Sequence, residues 1–150
     1  MNKDTLESFR ALSRRYSDTS IMMHEAIARK AGLSGTDHKY LGLLIQKGPM
    51  TAGELAKLTG LTTGAITGLI DRLEKRGLVK RQYDKADRRK VYIVPDTDNT
   101  MKLMEPLFAG LQEKSIALIA SFQDSELEII QRYFRSAIDI MDEVTNNLNN

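Results

Sequence analysis

The sequence has no cysteine and no tryptophan, only three prolines and two histidines, and aromatic residues make up just 6% of it. Without cysteine there is no disulfide, no thiol redox sensor and no thiolate ligand for zinc, and the expected location is a reducing cytoplasm. No apolar run approaches the ~20 residues that span a bilayer and no signal peptide opens the chain, so no membrane partner is expected. A cysteine nucleophile, a glycine-rich phosphate loop and a recognisable Ser–His–Asp spacing are all missing, which argues against an enzyme. Two histidines are few for a zinc site. Neighbouring residues on a helix point about 100° apart, so neither His24 with Glu25 nor Asp37 with His38 converges on one ion. No metal and no cofactor is expected, and His24 reads as a polar residue at an interface or a pocket wall.

With so few aromatics, the core has to be aliphatic, supplemented by the seven methionines. Hydrophobic content of 41% over 150 residues is enough for a single domain, one that buries roughly 68–70% of its unfolded surface. The net charge of +2 conceals an asymmetry. Residues 72–90 carry nine Lys/Arg against three Asp/Glu, whereas residues 91–150 carry four against ten. A basic cluster confined to one stretch is the electrostatic footprint of a nucleic-acid binder, although a solvated face gives the same count.

The apolar spacing predicts six helices and one hairpin. Leu6, Phe9, Ser13, Tyr16, Ser20, Met23 and Ile27 mark a helix over 4–31 that Gly32 can end. Thr36 is expected to cap a second helix, 37–47, burying Tyr40, Leu41, Leu44 and Ile45 and stopped by Gly48-Pro49. Thr51-Ala-Gly-Glu54 has the capping-box pattern. It opens a short helix, 52–59, with Leu55, Ala56 and Leu58 inward and Gly60 at its end. A fourth helix starts at Thr62 or Thr63, ends at Gly77, and carries the stripe Ile66, Leu69, Ile70 and Leu73. Two runs of β-formers, 78–83 and 90–94, flank a six-residue polar loop and read as a hairpin. Two long helices follow, 97–122 and 125–148. In the last, Leu127, Ile130, Phe134, Ala137, Met141, Val144 and Leu148 alternate by three and four, an a/d seam over three heptads. At roughly 37 Å, such helices outrun one small lobe. They pack as an intramolecular hairpin or as a subunit interface with the first helix, and the interface is favoured.

A helix of about eight residues, a turn containing Gly60 and a second helix make a helix-turn-helix, whose second helix enters the major groove. The face opposite its core stripe, with the shoulders, offers Thr63, Gly64, Ala65, Thr67, Gly68, Asp71, Arg72 and Lys75. We expect Thr62, Thr63, Gly64, Ala65, Thr67, Gly68, Arg72 and Lys75 to meet DNA. Its first two turns lack Arg, Asn and Gln for bidentate base contacts. Either Gly64 and Gly68 let the backbone approach DNA while threonine methyls meet thymine methyls, or they serve close helix packing. In the hairpin loop, Asp87 is placed to hold Arg89 extended toward a narrow minor groove, with Lys85, Arg88 and Lys90 nearby for phosphates.

The stretch LTGLTTGAITGLIDRLEKRGLVKRQYDKADRRKVYIV resembles the MarR family of bacterial winged-helix regulators. Residues 71–79 and the Asp-x-x-Asp-Arg-Arg segment at 84–89 are the most specific pieces, and the long terminal helices extend the likeness over nearly the whole chain. The resemblance implies a mainly α fold with a small β-hairpin: a winged helix-turn-helix lobe, 36–96, with dimerisation helices at 1–34 and 97–150. It implies a homodimer on a palindromic DNA operator, with Arg89 as the minor-groove arginine and Asp87 as its orienting acid. The interface would include Leu6, Phe9, Tyr16, Leu127, Ile130, Phe134, Met141, Val144 and Leu148. It further implies a repressor relieved by a small aromatic or phenolic ligand held between dimerisation helices and winged lobe. Gly64 and Gly68 depart from the polar recognition face of many members, which shifts weight to the wing and DNA shape. The alternative is a winged helix used for protein contact without specific DNA binding; the basic patch argues against it.

Overall fold

The computed structural model describes residues 2–87 and 89–149. Its elements are α1 (Lys3–Lys30), α2 (Gly35–Lys47), β1 (Met50–Thr51), α3 (Ala52–Thr59), α4 (Thr63–Lys75), β2 (Val79–Tyr83), β3 (Val91–Pro95), α5 (Thr97–Ala120) and α6 (Asp124–Asn149). The mainly α fold expected from periodicity is present, and its small sheet has three antiparallel strands, ordered β1-β3-β2. In the hairpin, Val79 faces Pro95 and Tyr83 faces Val91; on the other side of β3, Met50 faces Ile93.

Contacts divide the chain into two compact units, one running to Leu107 and the other beginning at Phe108. The boundary falls inside α5, just beyond Pro106, a residue with no N–H to donate to the preceding turn. The first unit holds the core. Leu41, Leu44, Leu55, Ile66, Leu69, Ile70, Leu73 and Ile93 are all essentially inaccessible. Four of these are the α4 stripe expected from spacing. Beyond Met104 no described residue is buried. Within the second unit, α6 has no buried side chain and does not pack along the remainder of α5. Among the described residues the intramolecular hairpin therefore gains little support.

Several local expectations are corrected. Ser34, not Thr36, caps α2, its hydroxyl accepting from the Asp37 N–H at 3.0 Å, so the helix begins two residues earlier than expected. Ile45 and Leu58 are exposed rather than inward. Ile45 lies about 100° round the helix from Leu44, and the eight-residue α3 fully buries only Leu55. The capping box at Thr51 and Glu54 is present with both of its bonds. Thr51 also ends β1, a two-residue strand that no alternating pattern announces.

Candidate nucleic-acid interface

The surface that could receive DNA is built from α4 and the loop between β2 and β3. Gly60, at φ 69°, turns the chain sharply after α3, a conformation that costs glycine little. Thr62 then caps α4, its hydroxyl oxygen accepting from Ala65 N–H at 3.3 Å. Burying Ile66, Leu69, Ile70 and Leu73 fixes the rotation of α4 and leaves Gly64, Thr67, Asp71 and Lys75 exposed and Gly68 half-buried. A Cβ built on Gly64 meets nothing within 4 Å, and one on Gly68 meets only the Arg72 guanidinium. Close helix packing thus has no support in the described residues as the reason for these glycines. The Thr67 hydroxyl donates to Thr63 O at 2.9 Å, which commits its polar end to the helix itself.

Arg72, expected among the DNA contacts, is engaged elsewhere. Its Nε and NH2 donate to the two oxygens of Asp37 at 2.9 and 2.7 Å, joining α4 to α2. Arg76 donates to the backbone carbonyls of Ala31 and Gly32 at the end of α1. Arg81 on β2 pairs with Asp71 at 2.6 Å and with Glu74. Three of the nine cations counted in residues 72–90 therefore hold the recognition helix against its surroundings. None of these partners was expected from the sequence. The signal for one was present: Asp71 and Glu74 lie three apart, so one helix face offers two carboxylates to a following strand.

The wing tip is ordered by aspartates. The Asp84 carboxylate accepts from Ala86 N–H and Asp87 N–H at 2.8 and 2.9 Å, an arrangement that holds its pKa below the usual carboxylate range. One oxygen of Asp87 accepts from both the backbone N–H and the Nε of Arg89, each at 3.1 Å. Asp87 is partly buried, whereas the Arg89 side chain is 92% exposed, so the acid fixes the inner end of a guanidinium that projects into solvent. Lys85 and Lys90 are exposed on the same loop. Arg88, also expected there, lies outside the described residues.

The histidines converge in a way that their sequence neighbours did not suggest. His24 Nδ1 on α1 and His38 Nε2 on α2 are 3.3 Å apart. Burial, then the nearby His24, lowers the His38 pKa from its ordinary value. Among the described residues no group of three or more His, Cys, Asp or Glu could hold a metal ion, and no helix is long and apolar enough to cross a membrane.

Residues 33–91 match the MarR family. Over 143 residues the chain is 43% identical to YcgE, an uncharacterized HTH-type transcriptional regulator of Bacillus subtilis (strain 168), covering 95% of this chain and 90% of that protein. It is 32% identical over 111 residues to the HTH-type transcriptional repressor YetL of the same organism, covering 73% of this chain and 65% of the relative. A solved MarR family protein from Bacillus stearothermophilus superimposes with a TM-score of 0.73 at 25% identity, over 95% of this chain and 99% of that one.

Proposed function

Because this chain belongs to the MarR family of DNA-binding transcriptional regulators, we propose that it acts as a homodimeric repressor on a palindromic operator and lets go when a small aromatic or phenolic effector binds. The observation that carries the dimer is the last helix. α6 is 26 residues long and has no buried side chain, yet Phe134, Met141, Val144 and Leu148 stand on one seam, 44–81% exposed. Such an apolar stripe is unfavourable in water unless something covers it. A second copy brings an identical stripe and closes the assembly by two-fold symmetry. Leu127 and Ile130 continue the seam, and Leu6, Phe9 and Tyr16 on α1 join it.

Two winged lobes related by a two-fold axis fit two half-sites about one helical turn apart, ~34–36 Å. In each lobe α4 lies in the major groove, with Gly64 and Gly68 letting its backbone come close. Thr63 and Thr67 turn methyls toward thymine, and Thr62, Ala65 and Lys75 lie at the margins of the contact. Arg89 enters the flanking minor groove while Lys85, Arg88 and Lys90 meet phosphates. Repression is supported by YetL, a relative named as a repressor; the effector class rests on the family resemblance. Footprinting on DNA flanking the gene, with sedimentation of the same sample, tests the reading. Two protected half-sites one turn apart, bound by a dimer, are expected. One protected half-site bound by a monomer would refute it.

A further inference from the structure

The arginines around the recognition helix are placed for protein contacts rather than for DNA. Arg72 is the clearest case, because its partner is buried. The Asp37 side chain is 5% exposed, whereas that of Arg72 is 57% exposed. The carboxylate lies in the first turn of α2, where its backbone N–H is held by Ser34 Oγ and where the helix dipole favours negative charge. Two parallel bonds, at 2.9 and 2.7 Å, occupy both of its oxygens, the strong fork geometry of an arginine and a carboxylate. For Arg72 to reach a phosphate, it would have to abandon Asp37 and leave a buried charge with no counter-ion. The outward face of α4 also carries Lys75, an exposed cation, and Asp71 on the same face is paired with Arg81.

We propose that Asp37 is a positioning residue that withholds Arg72 from DNA. It registers α4 against α2 and leaves the phosphate attraction to the wing. The proposal rests on the DNA-binding reading. A purely architectural ion pair would change stability alone. A withheld arginine also changes the number of phosphates that the lobe neutralises, which is read from the dependence of affinity on salt. Each phosphate contact contributes about 0.9 to the slope of log K against log salt.

The test titrates the full chain onto a random-sequence duplex of about 30 base pairs over a range of salt concentrations, a regime of mainly phosphate contacts. Asp37→Asn should steepen the slope by about 0.9 for each lobe on DNA, because Arg72 gains a phosphate in place of its lost partner. Arg72→Gln should keep the wild-type slope. The double variant Asp37→Asn with Arg72→Gln replaces the ion pair by two amides that can bond each other, which protects the fold if a single variant fails to fold; it too should keep the wild-type slope. A slope shallower by about 0.9 per lobe in Arg72→Gln or in the double variant would show that Arg72 already contacts phosphate, and would overturn the proposal. So would an unchanged slope in folded Asp37→Asn. Failure of the wild-type protein to bind any duplex at low salt would instead remove the DNA reading, and this proposal with it.

Discussion

The winged lobe and the C-terminal arm treat the same kinds of residue in opposite ways. In the lobe, apolar side chains are buried and many charges have partners: α4 alone seals four aliphatic residues, Arg72 and Arg81 are bonded within the lobe, and Arg76 is bonded to the end of α1. In the arm, α6 shows an unbroken apolar seam with nothing buried, set among acidic residues: Asp124, Glu126, Glu128, Asp139, Asp142 and Glu143. The lobe is a finished object, and its surface features are what it presents to DNA. The arm leaves its apolar seam exposed, and in the proposed dimer that seam meets a second copy. In the proposed assembly the lobe supplies the chemistry of recognition and the arm sets how many lobes act together.

Breaking the arm should have the largest effect. Met141→Glu places a charge on the seam and should convert the dimer to monomer in sedimentation at micromolar concentration. Specific DNA binding should fall by ~10²-fold or more, because two linked lobes typically gain ~10²–10⁴ over one. The melting of the lobe should survive. A full dimer in this variant would place the seam outside the interface. Arg89→Ala comes next. It leaves dimer and melting unchanged, since the side chain is almost wholly in solvent, but should weaken operator binding on the order of tenfold or more, the scale of a specific groove contact. Unaltered affinity would take the wing out of recognition.

The glycine face should give a smaller effect with a sign that separates stability from function. Gly64→Ala meets open space and Gly68→Ala only the movable end of Arg72. Gly68 is inside α4, so its replacement by alanine should stabilise the lobe by about 0.5–1 kcal/mol, whereas Gly64, the second residue of the helix, should gain less. If the backbone of α4 has to approach DNA closely, the same changes weaken binding. A raised melting temperature together with unchanged or tighter DNA binding would return these glycines to a merely permissive role.

What the sequence made legible follows from the range of the interactions. The α4 stripe, the Thr51–Glu54 capping box and the seam of α6 are patterns of three or four residues, and each was readable. Asp87 and Arg89 lie two apart, so their contact was readable too. Arg72 and Asp37 are 35 positions apart, and Arg76 reaches carbonyls still further back along the chain. No local pattern encodes such pairs; they exist because the fold brings α4 beside α2 and the end of α1. The basic count over residues 72–90 was correct, but it could not see that Arg72, Arg76 and Arg81 have protein partners. The same limit hid the histidine pair, since neighbours in sequence were the wrong place to look for convergence.

That pair gives the mildest prediction, a pH dependence of the lobe itself. His38 is half-buried beside His24, and both burial and its neighbour hold its pKa below the usual value. The unfolded chain takes up this proton near pH ~6.5, whereas the folded chain resists it until the pH is lower. Below about pH 6.5 the unfolded state thus binds more protons, and stability must fall with pH until folded His38 titrates as well. One proton limits the slope to ~1.4 kcal/mol per pH unit, and solvent screening at a half-buried site should reduce it well below that ceiling. Glu54 and Asp84 act in a separate window. Backbone N–H groups hold their pKa values low, so their contribution is present above about pH 4.3 and is lost only as pH falls through the lowered values. Urea midpoints at mildly acidic and neutral pH should therefore differ in the wild-type protein and converge in His38→Asn. An undiminished difference in that variant would assign the proton uptake to another group. It would leave His38 as part of a contact between α1 and α2 without a role in acid sensitivity.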